Sequence, residues 1–326
     1  MEHYVTLFDS LFLPQGLALH MSMERHVTNY TLWILCMDDT AYEVLTRLHL
    51  ANVRLLQMSK LETDKLLGVK QTRSKGEYCW TVTPFAPRFV FEADAQLARV
   101  TYLDADLWFR KHPAPIYREF EASGKHVLIT DHAYAPEYDQ SATFGQYCVQ
   151  FMIFSRKDGE IVRQWWEDRC IEWCYARAED GKFGDQKYLD DWPSRFDKQV
   201  HVLENRDVLL APWNVKRFPY GPAICYHFHG LRVSDNKIVI SDYYPLPQRV
   251  VSNIYEPYVS DLVNAIHQLT SVGYAHKNQL KRRTFVEFAK SLMLGISQNS
   301  WRLITRRSIR FHKINKKMSS VKKLIE

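Results

Sequence analysis

The stretch VTYLDADLWF, residues 100–109, decides the fold and contains the first candidate site. Its apolar and β-branched start predicts a buried strand, and Asp104 and Asp106 follow where that strand leaves the sheet. Alternate residues of an extended chain point the same way, so both carboxylates can converge on one cation, which relieves their repulsion. A hard divalent ion fits best. From these residues alone, two solvated acids in a chance D-x-D remain an alternative.

Strands and helices alternate on both sides of this stretch. This alternation predicts an α/β fold with a mostly parallel central sheet and flanking helices. Segment 61–78 is polar and is assigned no element. Further strands are predicted at 5–10, 30–38, 52–59, 125–130 and 146–155, and helices at 15–26, 40–51, 83–98 and 159–179.

A sheet of this kind binds its ligand outside the carboxyl ends of its strands, where Asp104 and Asp106 fall. The sequence contains neither G-x-G-x-x-G nor G-x-x-x-x-G-K-[ST], so it offers no glycine-rich loop for phosphate. A metal ion held by the two aspartates would take over that neutralising role.

Composition describes an ordinary globular protein of 326 residues, 46% hydrophobic and 25% charged. Its six cysteines are scattered, which favours free thiols in a reducing compartment. Cys170 and Cys174, four residues apart on a predicted helix, are a minor candidate for half a metal site. The start of the chain lacks a basic region, and no apolar run reaches about 18 residues, so we expect a cytoplasmic or peripheral protein.

Charge is distributed unevenly along the chain. Residues 275–326 hold fourteen Lys and Arg and two Glu, whereas the rest of the chain has a net charge of −6. A helix over 301–317 would separate an apolar side from a basic side, with only Arg307 and Ile309 out of place. The apolar side would comprise Trp301, Leu303, Ile304, Phe311 and Ile314, and the basic side Arg302, Arg306, Arg310, Lys313, Lys316 and Lys317. Such a helix is typical of an anionic membrane surface, and packing onto the protein's own core is the alternative.

Four motifs stand in a recognisable order: TYLDADLWF (101–109), FGDQKYLDDW (183–192), APWN (211–214) and YHFHG (226–230). In this order they resemble the nucleotide-sugar glycosyltransferases of GT-A fold, especially the retaining family 8 type and related bacterial surface-polysaccharide transferases. The resemblance covers roughly residues 1–240. It implies transfer of a sugar from a nucleotide diphosphate-sugar, with a UDP-sugar favoured, to a glycan acceptor such as O-antigen, capsule or lipopolysaccharide.

The resemblance also implies roles for the acidic pair and for two histidines. Asp104 and Asp106 would hold Mn²⁺ or Mg²⁺ against the donor diphosphate, and His227 would complete the metal shell. Imidazole suits Mn²⁺ better than Mg²⁺. His229, two residues further on in a predicted strand, would contact phosphate or acceptor. Without the motif order, either histidine reads as a hydrogen-bonded strand residue.

Further residues match motifs of the same family. Asp185 and Gln186 match its D-Q, which implies that they hold the transferred sugar, although Asp185 would also cap a helix well. Trp213 and Asn214 match its W-N and would support the sugar pocket or simply pack. Lys75 stands where family members place a basic residue ahead of the D-x-D, and would meet phosphate or solvent.

Two departures from the family pattern concern the donor. Cys148 and Gln150 occupy places where family 8 enzymes carry N-x-G, and we expect Gln150 to take over the sugar contact, because an amide both donates and accepts. The K-P-W that often follows the last motif is missing, which leaves Lys237 as a candidate for phosphate. Four tryptophans are candidates for an acceptor groove or for the core: Trp80, Trp108, Trp165 and Trp166.

These observations predict a catalytic domain over 1–256 and a basic helical tail over 257–326. A metal-dependent nucleotidyltransferase or phosphoryl-transfer enzyme is an alternative, since it also uses paired Asp and a nucleotide. The sequence shows no third carboxylate in the usual neighbourhood of the pair and no glycine-rich phosphate loop near the N-terminus, and both would support that alternative. A nucleic-acid-binding protein is another, and the acidic body and the few aromatics in the tail disfavour it.

Overall fold

The computed structural model describes residues 1–234, 237–241, 243–276 and 308–310. The chain divides into two compact units. The first comprises Met1–His229 and Leu246–Tyr274, and the second comprises Gly230–Pro245 and Ala275–Glu326. The assignment of 1–256 to a catalytic domain and 257–326 to a tail stays a prediction.

A seven-stranded sheet forms the centre of the first unit, in the order β3-β2-β1-β4-β7-β6-β8. All neighbouring strands in it are parallel except β7, which runs antiparallel to both β4 and β6. In the described residues the strands are β1 Glu2–Phe8, β2 Tyr30–Cys36, β3 Val53–Gln57, β4 Arg99–Leu103, β5 Leu107–Phe109, β6 Val127–Asp131, β7 Tyr147–Ser155, β8 Val200–Val202, β9 Leu209–Leu210, β10 Cys225–His227, β11 Arg232–Ser234, β12 Lys237–Val239 and β13 Ser308–Arg310.

Helices cover both faces of this sheet. Successive residues of a strand point to opposite faces, so Tyr4 of β1 joins one apolar core and Val5 joins the other. Over the same ranges the α-helices are α1 Leu13–His26, α2 Asp39–Leu48, α3 Asp64–Lys70, α4 Lys75–Val82, α5 Phe85–Ala93, α6 Ala114–Ser123, α7 Ser141–Phe144, α8 Glu160–Glu172, α9 Trp192–Arg195, α10 Gln248–Val250 and α11 Glu256–Ser271.

The predicted α/β architecture, a mostly parallel sheet with flanking helices, is confirmed. Within the polar segment 61–78, to which no element is assigned from the sequence, the structure has the helices α3 and α4. Thr63 caps the first of these helices, and Ser74 with Glu77 forms a reciprocal capping box at the second. The helix predicted over 159–179 is too long: α8 ends at Glu172, and Trp173 is extended.

The second unit contains a small antiparallel sheet, β11-β12-β13. Its third strand, Ser308–Arg310, lies within the helix predicted for 301–317, so that prediction is wrong at these residues. Their backbone pairs with β12 in the register Ile309↔Ile238. The other residues of the predicted amphipathic helix lie outside the described ranges. No helix in the described part of the chain is long and apolar enough to cross a membrane.

Candidate metal centre

The acidic pair lies at the carboxyl end of β4, in the tight turn that leads into β5. The Leu107 N–H donates to the Asp104 carbonyl at 3.1 Å and closes this turn. β5 then pairs antiparallel with β10, which places Leu107 opposite His227. The Phe228 N–H also donates to the Asp106 carbonyl at 3.0 Å. Backbone pairing therefore brings a histidine 121 residues further along the chain to the acidic pair.

The three predicted metal ligands meet at this point. His227 Nε2 lies 3.0 Å from Asp106 Oδ1 and 3.7 Å from Asp104 Oδ2. One ligand atom from each of the three residues lies within 4.8 Å of the others. Two carboxylates and an imidazole form a donor set that suits Mn²⁺ and related divalent ions. The residues present therefore fit the predicted metal.

The centre carries more negative charge than its one imidazole balances. Burial raises the pKa of Asp104 to about 6, and the charge of Asp106 adds to this while His227 opposes it. Burial acts to lower the pKa of His227, but Asp106 and Asp104 together raise it well above its ordinary value. His227 is the one ionic partner of Asp104 among the described residues.

A third carboxylate, that of Asp185, lies near enough to Asp104 for its pKa to respond to that charge. Burial raises the pKa of Asp185 to about 7, and the nearby charge of Asp104 adds to the effect. Its backbone carbonyl accepts a 2.7 Å hydrogen bond from Trp166 Nε1, whereas its buried Oδ2 has no partner in the described structure. Gln186, and not Asp185, stands at the N-terminal cap of the short 3-10 helix Lys187–Asp191, and its side-chain amide donates to the Phe144 carbonyl. A buried acceptor without a partner, such as Oδ2 of Asp185, is suited to accept a hydrogen bond from a hydroxyl group of a bound molecule.

Gln150 contacts two of the three ligand residues. Its backbone carbonyl accepts from the Asp104 N–H at 3.0 Å, and its side-chain Oε1 accepts from His227 Nδ1 at 3.0 Å. The Cys148 thiol also acts to raise the pKa of His227. The structure thus gives Gln150 a histidine partner where the sequence predicts a sugar contact. The sequence carries no signal for this partner, because the contact depends on how β7 and β10 are placed in the fold.

Trp213 and Asn214 lie behind His227. Asn214 is fully buried, accepts from the Ala211 N–H at 2.8 Å and donates to the His132 carbonyl at 3.0 Å. Trp213 Nε1 donates to the same carbonyl, and its ring stands edge-on to the rings of His227 and His229. His229 itself is exposed, one residue beyond Phe228. These contacts support the histidine side of the centre.

The remaining candidates lie elsewhere. Lys75 is exposed at the first position of α4. Lys237 lies on β12, in the second unit. Cys170 and Cys174 are buried free thiols, and the Asp104–Asp106–His227 group is the one candidate metal cluster found over the described ranges.

The four tryptophans have different environments. Trp166 is fully buried in the core, and Trp108 is buried with its Nε1 donating to Asp261 at 2.7 Å. Trp80 and Trp165 are half-buried, Trp80 against Phe183 and Trp165 against other aromatic rings. At least two of the four are therefore core residues.

Comparison with known proteins identifies relatives over most of the chain. The uncharacterized protein YfnF of Bacillus subtilis is 30% identical over 303 residues, 85% of this chain and 99% of YfnF. The uncharacterized protein YfnD of the same organism is 29% identical over 313 residues, 87% of this chain and 98% of YfnD. No protein-family model matches the chain.

Solved structures share the fold at low sequence identity. The galactosyltransferase LgtC, in complex with donor and acceptor sugar analogs, superposes with a TM-score of 0.51 at 12% identity, over 80% of this chain and 95% of LgtC. The apo form of the glycosyltransferase GlyE from Streptococcus pneumoniae TIGR4 gives a TM-score of 0.50 at 14% identity, over 86% of this chain and 66% of GlyE. The fold is therefore the predicted GT-A fold.

Proposed function

We propose that this chain, which belongs to the same protein family as YfnF of Bacillus subtilis, is a metal-dependent glycosyltransferase. It moves a sugar from a nucleotide diphosphate-sugar, with a UDP-sugar favoured, to a glycan acceptor of a bacterial surface polysaccharide. The observation that carries the proposal is the meeting of Asp104, Asp106 and His227 at the carboxyl end of β4 in a GT-A fold.

Asp104, Asp106 and His227 would hold Mn²⁺ or Mg²⁺. When bound, the ion supplies positive charge to the diphosphate of the donor, which leaves as an anion. His227 presents Nε2 to the carboxylates while its Nδ1–H is bound by Gln150. The buried Asp185 Oδ2 accepts a hydrogen bond from a hydroxyl of the transferred sugar, and Gln186 and the Trp213–Asn214 pair support the pocket.

In the transfer, the bond between the anomeric carbon and the diphosphate oxygen breaks, and a bond to an acceptor hydroxyl oxygen forms. The hydroxyl proton leaves with the diphosphate or with solvent. Retention of configuration is the outcome that the resemblance to family 8 enzymes implies. Asp185 orients the sugar so that its anomeric carbon faces the acceptor, which is a positioning contribution to the rate.

The test is nucleotide release from a panel of UDP-, GDP- and CMP-sugars, with Mn²⁺, Mg²⁺ or excess chelator. We expect release from one UDP-sugar that depends on the ion. Release of pyrophosphate from a nucleoside triphosphate and a sugar phosphate, with no release from any nucleotide sugar, would show a nucleotidyltransferase instead. Turnover that is undiminished in excess chelator would contradict the metal dependence.

The basic tail, residues 275–326, leads us to propose that the protein binds a membrane surface. Fourteen basic residues in 275–326 attract an anionic surface, at roughly 1 kcal/mol for each residue near the lipid. An enzyme that extends a lipid-linked glycan gains from such binding at the inner face of the cytoplasmic membrane, because its acceptor lies there.

We expect the full chain to sediment with anionic liposomes at low salt and less at about 0.5 M salt, because salt screens exposed charges. A chain that ends at Tyr274 should stay in solution and still turn over its donor. Equal lipid binding by both chains would exclude the membrane role.

A further inference from the structure

We infer that Gln150 is a positioning residue for the metal centre: it orients His227 so that Nε2 faces the two aspartates, and thereby tightens binding of the divalent ion. The inference rests on the metal site of the proposed function. It gives Gln150 a role that acts through His227, where the sequence predicts a direct contact with the sugar.

The backbone at Gln150 is held in place by its neighbours. Its strand, β7, lies between β4 and β6, with Phe151 opposite Leu103 and Cys148 opposite Thr130. Gln150 itself is fully buried. A side chain that starts from a central strand and is enclosed on all sides has few other rotamers available, so its Oε1 is a fixed acceptor.

The fixed acceptor determines how His227 presents its two nitrogens. An amide oxygen only accepts, so the 3.0 Å contact places the hydrogen on Nδ1. Nε2 is then the nitrogen that faces Asp106 at 3.0 Å and Asp104 at 3.7 Å, and it offers its lone pair to an ion bound there. Without this acceptor, the imidazole could rotate about the Cβ–Cγ bond of His227, or it could carry its hydrogen on Nε2. Either change would remove Nε2 as a metal ligand.

Gln150 also connects two ligand-bearing segments. Its carbonyl binds the Asp104 N–H, while its side chain binds the His227 ring. One residue thus fixes the distance between a carboxylate at the end of β4 and an imidazole at the end of β10. Groups that orient a metal-binding histidine in this way typically change metal affinity about 10- to 100-fold when they are removed.

The amide nitrogen of Gln150 makes the role testable by substitution. Nε2 is buried and has no partner among the residues that the structure describes. Replacement of the amide by a carboxylate therefore keeps the one hydrogen bond that the side chain makes and loses none. A glutamate at this position would retain the orienting contact, whereas a leucine of similar size would lack any acceptor.

The experiment measures the Mn²⁺ affinity of the full-length protein by calorimetry, without a nucleotide sugar, so the result does not depend on activity. We expect Gln150→Leu to weaken Mn²⁺ binding about tenfold or more, and Gln150→Glu to bind within about threefold of the wild type or more tightly. The matched control is Thr101→Val on β4, which removes a buried hydrogen bond to Tyr117, a residue outside the metal centre. The control should bind Mn²⁺ like the wild type.

Unchanged affinity in Gln150→Leu would overturn the inference and leave the metal site intact. Equal weakening in Gln150→Leu and Gln150→Glu would also overturn it, because the second variant keeps the acceptor. If the wild type bound no Mn²⁺, or if Asp106→Ala bound it equally well, the metal site of the proposed function would fail together with the inference.

A measurement on the unaltered chain covers the case in which the leucine variant does not fold. In ¹⁵N NMR of histidine side chains with Zn²⁺, a diamagnetic ion that imidazole also binds, His227 is assigned by the loss of its signals in His227→Gln. We expect a protonated Nδ1 and an ion-bound Nε2. A proton on Nε2 of His227 would overturn the inference.

Discussion

Two groups of charged side chains, each with buried members, are built in opposite ways in this protein. Between α5 and α8, Arg163 pairs with both Glu160 and Glu167, and Arg88 pairs with Glu167 at 3.1 Å. Each buried acid there has an arginine beside it. Buried charges that are paired and hydrogen-bonded need nothing from outside the protein.

At the carboxyl end of β4 the balance is different. Asp104 and Asp106 lie together, the charge of Asp104 also acts on Asp185, and the basic side chain that the structure places beside the first two is His227. Burial, and then repulsion from a neighbouring carboxylate, raises the pKa of Asp104 and of Asp185. This difference is what the proposed function requires, in which the first group serves the fold and the second is completed by a metal ion. Substitutions in the two groups should therefore affect different quantities.

The largest expected effect on turnover is that of Asp106→Ala. The loss of one of two carboxylate ligands should remove the ion and reduce turnover about a thousandfold. A fall of this size corresponds to the several kcal/mol by which a metal ion stabilises the transition state. Nucleotide release with Mn²⁺ measures this, and excess chelator should reduce the wild type to the same level. Folding should survive, since one of two crowded acids is removed. Loss of the circular dichroism spectrum would instead place Asp106 with the structural charges.

Next in size is the effect of Asp185→Asn. The variant keeps its backbone contact with Trp166 but changes the group that would accept from the sugar hydroxyl, so transfer should fall about a hundredfold. Calorimetry with UDP and Mn²⁺ should show unchanged affinity, because the side chain acts on the sugar. Lost affinity for UDP would assign Asp185 to the metal or phosphate site.

A smaller effect distinguishes the two histidines. His227→Ala should weaken metal-dependent turnover about 10- to 100-fold, because Nε2 faces both aspartates. His229→Ala should change turnover only a fewfold, since this side chain is exposed and stands against Trp213. Titration of Mn²⁺ against turnover measures both variants. Equal losses, with unchanged metal titrations, would show that His227 is not a ligand.

The smallest expected effect on turnover is that of Glu167→Ala, in the group of charges around Arg163. Glu167→Ala leaves Arg163 buried without one of its partners and should cost about 3 to 5 kcal/mol in the free energy of unfolding. Turnover per folded molecule should not change. Glu172→Ala on the same helix is the control: its pair with Arg169 is exposed and is worth less than about 1 kcal/mol. A lower turnover without a loss of stability in Glu167→Ala would contradict the division between the groups.

Much of the fold follows from the sequence because its strands are buried and strongly apolar, as in β1, β2 and β4. The helices α3 and α4 were not predicted, although Thr63 and the Ser74–Glu77 capping box were local signals for them. The early end of α8 was not predictable, because Arg73, nearly a hundred residues earlier, binds the carbonyls of Cys170 and Ile171 at its end.

The candidate site likewise contains residues that the sequence predicts and a contact that it does not predict. Asp104 and Asp106 follow from a local pattern, a strand followed by D-x-D, and His227 from the order of motifs. The contact between Gln150 and His227 joins residues 77 positions apart through the pairing of separate strands. No local pattern encodes such a contact, so the role of Gln150 emerges only from the three-dimensional structure.

The most direct test of the central claim, that the acids at the end of β4 are completed by a divalent ion, is anomalous scattering from crystals containing Mn²⁺. We predict an anomalous difference peak bounded by Asp104, Asp106 and His227, and its loss in crystals of Asp106→Ala. Manganese bound elsewhere in the crystal with none at this position, or the same peak in both proteins, would contradict the account.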